Sequence, residues 1–217
     1  MRLSRTLTSS IAVLGAAMLI PATALADGAE RLSRMLSPLE TYSADFEQQI
    51  LDGSGQRLQE AQGHMWLSRP GKFRWEVEAP YEQIVVSDGN EVTLYDPDLQ
   101  QATVQPLDQR VTHTPALLLS GSSSDLTENY DVSSSQQGTA ETFTLVPKSP
   151  DTLFEELRLT FYSEQLGFLQ MTDSTGQRTA IAFENVEQNG SVDNSRFNID
   201  LPADTDVIRE SGQAAAQ

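Results

Sequence analysis

The stretch Gly63-His-Met-Trp-Leu-Ser-Arg-Pro-Gly-Lys-Phe-Arg-Trp-Glu-Val-Glu78 sets two strand-length alternations on either side of a Pro-Gly turn. In its second half Phe73, Trp75 and Val77 share one face and Arg74, Glu76 and Glu78 the other, the period-2 pattern of a strand with one wet side. In its first half Met65, Leu67 and Arg69 share a face, opposite His64, Trp66 and Ser68. Arg69 therefore ends an apolar row. A guanidinium in that place must find acceptors or reach water, because burying it unpaired costs several kcal/mol.

The same rhythm continues outward in both directions. Upstream, Tyr42, Ala44, Phe46 and Ile50 alternate with Ser43, Asp45, Glu47 and Gln49, and Asp52-Gly53-Ser54-Gly55 reads as a hairpin turn that returns the chain from about Arg57. Downstream, Gln83 to Ser87 and Glu91 to Tyr95 flank Asp88-Gly89-Asn90, a strong hairpin signal. Alternation resumes near Tyr130 to Ser133, Phe143 to Val146, Leu157/Leu159/Phe161, Phe168 to Thr172 and Thr179/Ile181/Phe183, with Asp173-Ser-Thr-Gly176 as a further turn. Short segments around Phe197/Ile199 and Val207/Ile208 complete the series. About 10 or 11 short strands with so few helices predict a mainly β protein built on one large, curved antiparallel sheet.

Two segments break the rhythm. Leu32, Met35, Leu36 and Leu39 recur at i, i+3, i+4 and i+7, one apolar stripe of a short helix that Pro38 ends. Thr114 and Pro115 supply an N-cap and a first turn, after which Ala116 to Leu119 is apolar on every side. A helix that apolar must lie against something.

Arg2 and Arg5, the apolar run from Ile11 to Ile20 and the small-x-small site Ala24-Leu25-Ala26 read as a secretory signal cleaved after residue 26. Residues 27–210 then form a single domain and 211–217 a small, polar, disordered tail. The chain has no cysteine, which excludes both a disulfide framework and a lipid-attachment cysteine. Its formal charge of −17 repels nucleic acid and anionic headgroups. An exported, soluble, periplasmic protein is the expectation.

Chemistry-bearing motifs are missing. His64 and His113 are the two histidines, with no cysteine beside them, so no zinc site is expected. No nucleophile elbow, P-loop or dinucleotide fingerprint is present. Asp96-Pro-Asp98 has the opening of a calcium loop, but Gln101 stands where its sharp turn needs glycine. Carboxylate pairs such as Glu155/Glu156 are common in any chain this acidic. The expectation is a protein that is not an enzyme and holds neither metal nor cofactor.

Thr41-Tyr-Ser-Ala-Asp-Phe-Glu-Gln48, the Gly63 to Trp75 run and Val86-Ser-Asp-Gly89 together resemble the periplasmic outer-membrane lipoprotein carrier family, LolA. Tyr95-Asp-Pro97, Gln101-Ala102-Thr103, Thr114-Pro115 with its leucines, and Phe197 extend the resemblance over most of the mature chain. It implies an unclosed antiparallel half-barrel with a lid of short helices over a hydrophobic cavity. It also implies a monomeric carrier that takes acylated lipoproteins from an inner-membrane lipoprotein-releasing ABC transporter and yields them to an outer-membrane lipoprotein receptor. Carried over by motif, Arg69 is the arginine that clamps the lid through backbone carbonyls around Leu36, Leu119 and Ser120. Leu36, Phe46, Phe73, Trp75, Leu117, Leu118 and Leu119 are the cavity and lid residues. Ala116 stands where the family often has an aromatic, which bears on lid packing.

On spacing alone, Arg69 is as well explained as a strand-end arginine snorkelling past Met65 and Leu67, and Phe73 and Trp75 as ordinary core. A lipid-binding or lipoprotein-sensing module without handoff is the second functional reading. The sensors that use a similar half-barrel carry a further domain, for which residues 27–210 leave no room.

Overall fold

Two meanders build the sheet. The first comprises β1 (Thr41–Leu51), β2 (Arg57–Ser68), β3 (Lys72–Ala79), β4 (Gln83–Asp88), β5 (Glu91–Asp96) and β6 (Gln101–Pro106). The second comprises β7 (Tyr130–Gln137), β8 (Ala140–Pro147), β9 (Phe154–Tyr162), β10 (Gln165–Asp173) and β11 (Arg178–Gln188). Antiparallel pairing of β1 with β11 joins them, and β12 (Asp206–Arg209) adds to the far edge, giving the order β12-β6-β5-β4-β3-β2-β1-β11-β10-β9-β8-β7. The two edges, β12 and β7, do not meet, so the half-barrel stays open. This computed structural model describes residues 23–107, 115–150, 152 and 154–210; most of the expected signal, His113, Thr114 and the tail 211–217 lie outside the described residues.

Turn chemistry fixes the hairpins. Asp52 Oδ1 accepts the N–H groups of Ser54 and Gln56, both at 2.9 Å, and Asp173 Oδ1 does the same for Thr175 and Gln177. Asp88 caps its hairpin through the N–H groups of Asn90 and Glu91. Each is an aspartate mimicking a backbone acceptor in a tight turn. Asp96, first residue of the calcium-like stretch, accepts the Leu99 N–H at 3.0 Å and so serves as a turn cap as well.

One face of the sheet is continuous and apolar. Phe46 lies opposite Phe183 on β11, Leu67 opposite Tyr42 and Phe73, and Met65 opposite Ala44 and Trp75, so the inward rows of neighbouring strands align. Three short segments complete this core: α1 (Thr23–Leu36), a 3-10 helix at Pro115–Ser120, and α2 (Ser123–Asn129). Their Leu32, Leu36, Ala116, Leu117, Leu119 and Leu126 belong to the same buried cluster as the sheet residues. These short helices therefore lie on the apolar face. No described helix is long and apolar enough to cross a membrane.

Four details differ from expectation. The sheet has twelve strands, one more than the upper expectation. Residues around Phe197 form a 3-10 turn (Asn194–Phe197), because the Asp193 carboxylate caps the Ser195 N–H, and this turn packs on the outer face of β3 and β4. After that crossing the chain meets β6 from a parallel direction, so Val207 and Ile208 sit in the one parallel strand pair among the described residues. Finally, α2 lies in a serine-rich stretch where, among the described side chains, Leu126 alone turns inward, too little for a visible apolar stripe. The first turn of α1 also contains the expected cleavage site after Ala26.

Candidate functional site

The last carbonyls of a helix have no partner inside it. Both α1 and the 3-10 helix end beside the β2–β3 turn, where Arg69 and Gly71 take up terminal carbonyls. Arg69 Nη1 donates to Leu36 O at 2.6 Å, and Arg69 Nε donates to Leu119 O at 3.0 Å. The Gly71 N–H donates to Ser120 O at 2.9 Å, and the Ser120 hydroxyl donates to Leu117 O at 2.8 Å. One guanidinium thus spans two separate helical segments, and a cation at a helix C-terminus is electrostatically favoured besides. Ser120, expected beside Leu119 as an Arg69 partner, is latched instead by Gly71. The approach of α1 is fixed from behind: Asn189 accepts the Glu40 N–H at 2.8 Å and donates to Pro38 O at 2.9 Å.

Arg69 is half-buried, and burial holds its pKa below the ordinary arginine value. No carboxylate among the described residues pairs with it, and its Nη2 is buried with no hydrogen-bond partner. All of its hydrogen bonds are to neutral carbonyls, so the charge is incompletely compensated.

The apolar residues expected at the site come together. Leu36 and Phe73 are fully buried, Phe46 and Trp75 are 2% exposed, and Leu117 and Leu119 are buried beside the fully buried Ala116. Leu118 is half-buried against the same cluster. Phe46 and Trp75 stack with ring centroids 3.6 Å apart, and Phe73 lies parallel to Trp75 at 6.2 Å. α1, the 3-10 helix and α2 cover this interior together with the sheet.

A second tie holds α1. Arg31 pairs with Glu141 of β8, a carboxylate only 7% exposed. Glu141 shares its parity with Phe143 and Leu145, so a charge on an apolar row was legible there as it was at Arg69. Tyr42, also unremarked by spacing beyond its core position, donates its hydroxyl to Leu166 O at 2.8 Å, and burial pushes its pKa up. Neither residue belongs to the expected set.

The outer face carries polar groups of another kind. His64 Nδ1 lies 2.6 Å from Asp45 Oδ1 and His64 Nε2 lies 2.9 Å from Ser43 Oγ, while Asn185 donates to the other Asp45 oxygen. Those hydrogen bonds, Asn185 before His64, hold the Asp45 carboxyl below the usual carboxylate range. The connectivity is that of a hydrolase relay, but Ser43 stands in the middle of a sheet, paired on both sides by β2 and β11. Its strand offers no nest of free N–H groups for an oxyanion. Among the described residues no group of three His, Cys, Asp or Glu is placed to hold a metal.

Comparison with known proteins gives a consistent picture. The family model described as outer membrane lipoprotein carrier protein LolA matches residues 37–200. The outer-membrane lipoprotein carrier protein of Chromohalobacter salexigens is 67% identical over 201 residues, covering 92% of this chain and 96% of that one. Its counterpart from Azotobacter vinelandii is 49% identical over 210 residues, covering 97% and 100%. Among solved structures, an uncharacterized conserved protein from Thermus thermophilus shares the fold with a TM-score of 0.51 at 13% identity, covering 85% of this chain and 98% of that one.

Proposed function

The chain belongs to the outer membrane lipoprotein carrier family LolA, and from that premise we propose that it carries acylated lipoproteins through the periplasm. It takes them from an inner-membrane lipoprotein-releasing ABC transporter, covers their acyl chains beneath the lid, and yields them to an outer-membrane receptor. It works as a monomer without metal, cofactor or catalytic step. The observation that carries this reading is Arg69 bonded at once to Leu36 O and Leu119 O, a contact that holds two lid segments over an apolar sheet face.

Magnitudes set the mechanism. An acyl chain of about 15 methylenes gains roughly 12 kcal/mol on full burial, at about 0.8 kcal/mol per methylene. Three such chains approach about 36 kcal/mol, and losing that into water in one step would be far too slow for transport. Handoff therefore keeps the chains covered, passing from one cavity to the next through apposed mouths. A carrier must also hold its cargo less tightly than a permanently open groove would. The Arg69 bonds supply that difference: they favour the closed, empty state, and their recovery offsets part of the affinity whenever cargo leaves.

Native mass spectrometry of the protein purified from the periplasm tests the assignment. The expected adduct is an acylated polypeptide. Free phospholipid as the sole adduct would instead favour a lipid-binding module without handoff.

A further inference from the structure

A guanidinium presents five N–H donors in a fixed planar fork. In Arg69 two of the three nitrogens are engaged with the lid, through Nε and Nη1, and Nη2 is buried with nothing to donate to. Buried donors are almost always satisfied, and a charged one left open is costlier than a neutral one. The position of this donor is informative. Arg69 follows β2 directly and continues the parity of Met65 and Leu67, which lie opposite Trp75 and Phe73 of β3, so it marks the end of an apolar row. A ligand chain lying along that row would end in its polar neck beside the guanidinium. The other contacts of Arg69 show what the fork accepts here, namely sp² carbonyl oxygens.

We propose that Arg69 Nη2 binds an acyl-ester or acyl-amide carbonyl oxygen of the cargo's lipid anchor. The same guanidinium then reads the neck of the anchor and holds the lid. Entry of cargo becomes an exchange of carbonyls: an anchor oxygen takes the open donor first, and the Leu36 and Leu119 oxygens are released as the chains push the lid away. Departure runs the exchange backwards, so the charge need never stand unpaired while the site is in use. This rests on the carrier reading above, and it adds the atoms by which the anchor is recognised.

The test uses two uncharged-anchor probes that differ in those atoms: a tripalmitoylated cysteinyl peptide with its natural carbonyls, and the analogue in which all three chains are ether-linked and the amino-terminal nitrogen is replaced by an ether oxygen. Their affinities are measured for the full mature chain and for Arg69→Leu and Arg69→Lys, with circular dichroism as the check on folding. Wild type should prefer the carbonyl-bearing probe by about ten-fold, the factor associated with one charge-assisted hydrogen bond. The preference should fall to about one-fold in Arg69→Leu and lie between in Arg69→Lys, which keeps a charge but loses the fork. Equal affinities in wild type, or an undiminished preference in Arg69→Leu, would overturn the carbonyl contact and leave the carrier reading standing. Binding of neither probe would overturn both. Displacement of the peptide by an equimolar diacyl phosphatidylethanolamine would assign the carbonyl to phospholipid rather than to lipoprotein.

Discussion

Arg69→Leu should fold normally, bind acylated cargo more tightly than wild type, and fail to pass it on. Two hydrogen bonds from a cation to helix-terminal carbonyls are lost, each worth roughly 1.5–3 kcal/mol. Against this, leucine removes a half-buried charge with one unsatisfied donor, so the fold itself gains about as much as it loses. What changes is the lid. With the Arg69 donors gone, Leu36 O keeps the Leu39 N–H at 3.1 Å and Leu119 O gains a new partner by moving away from the sheet. A bias of about 3 kcal/mol removed from the closed state shifts the open population by more than a hundred-fold. Cargo then sits in a groove that no longer closes behind it, and the free energy that would help expel it is gone. Transfer from purified carrier to purified receptor should drop to a small fraction of the wild-type yield, with an unchanged circular dichroism spectrum. Normal transfer would contradict the clamp.

The second large effect is on stability. Gly63 lies on β2 opposite Phe46, where the pairing of β2 with β3 slips by a residue between Gln62 and Gly63. A Cβ added there would stand 1.8 Å from the Glu76 carbonyl oxygen and 2.9 Å from Phe46 Cζ. The first of these is backbone and cannot rotate away. Replacing a strand glycine by alanine ordinarily stabilises slightly through the unfolded chain. Here the clash reverses the sign, and Gly63→Ala should cost about 3 kcal/mol or more, since β2 must part from β3 at the bulge. The Phe46–Trp75 stack sits directly over this point, so the interior loses its shape together with its stability. Urea unfolding followed by tryptophan fluorescence should show a midpoint well below that of wild type. An equal or higher midpoint would contradict the packing.

Much of the sheet was legible because its instructions are local. Asp52, Asp88 and Asp173 each announce a turn that their own carboxylates then cap, and the parity of Phe73, Trp75 and Val77 places them without knowledge of any partner. The site was legible only in part. Parity marks Arg69 as a charge on an apolar row, but its acceptors, Leu36 O and Leu119 O, are backbone atoms on distant segments. A carbonyl leaves no trace in residue identity, so those partners followed from the family resemblance rather than from spacing. Glu141 carried the same parity signal and its partner Arg31 lies on α1, yet an acidic chain offers so many carboxylates that one facing inward does not stand out. The parallel β12 and the turn at Phe197 depend on a crossing over the outer face, a long-range event that alternation cannot encode. The α2 helix buries a single leucine and draws the rest of its order from neighbours.

The central claim is that a lid tied by Arg69 covers an acyl-binding face and lifts for cargo. Because the chain has no cysteine, two spin labels can be placed uniquely, at Glu30→Cys on α1 and Glu184→Cys on β11. Both positions are exposed. Pulsed electron-spin measurement of their separation should give one short distribution for the empty protein and a second, longer one when the triacylated peptide is added. The longer distribution should also appear in Arg69→Leu without any peptide. A single unchanged distribution in all three samples would contradict the account.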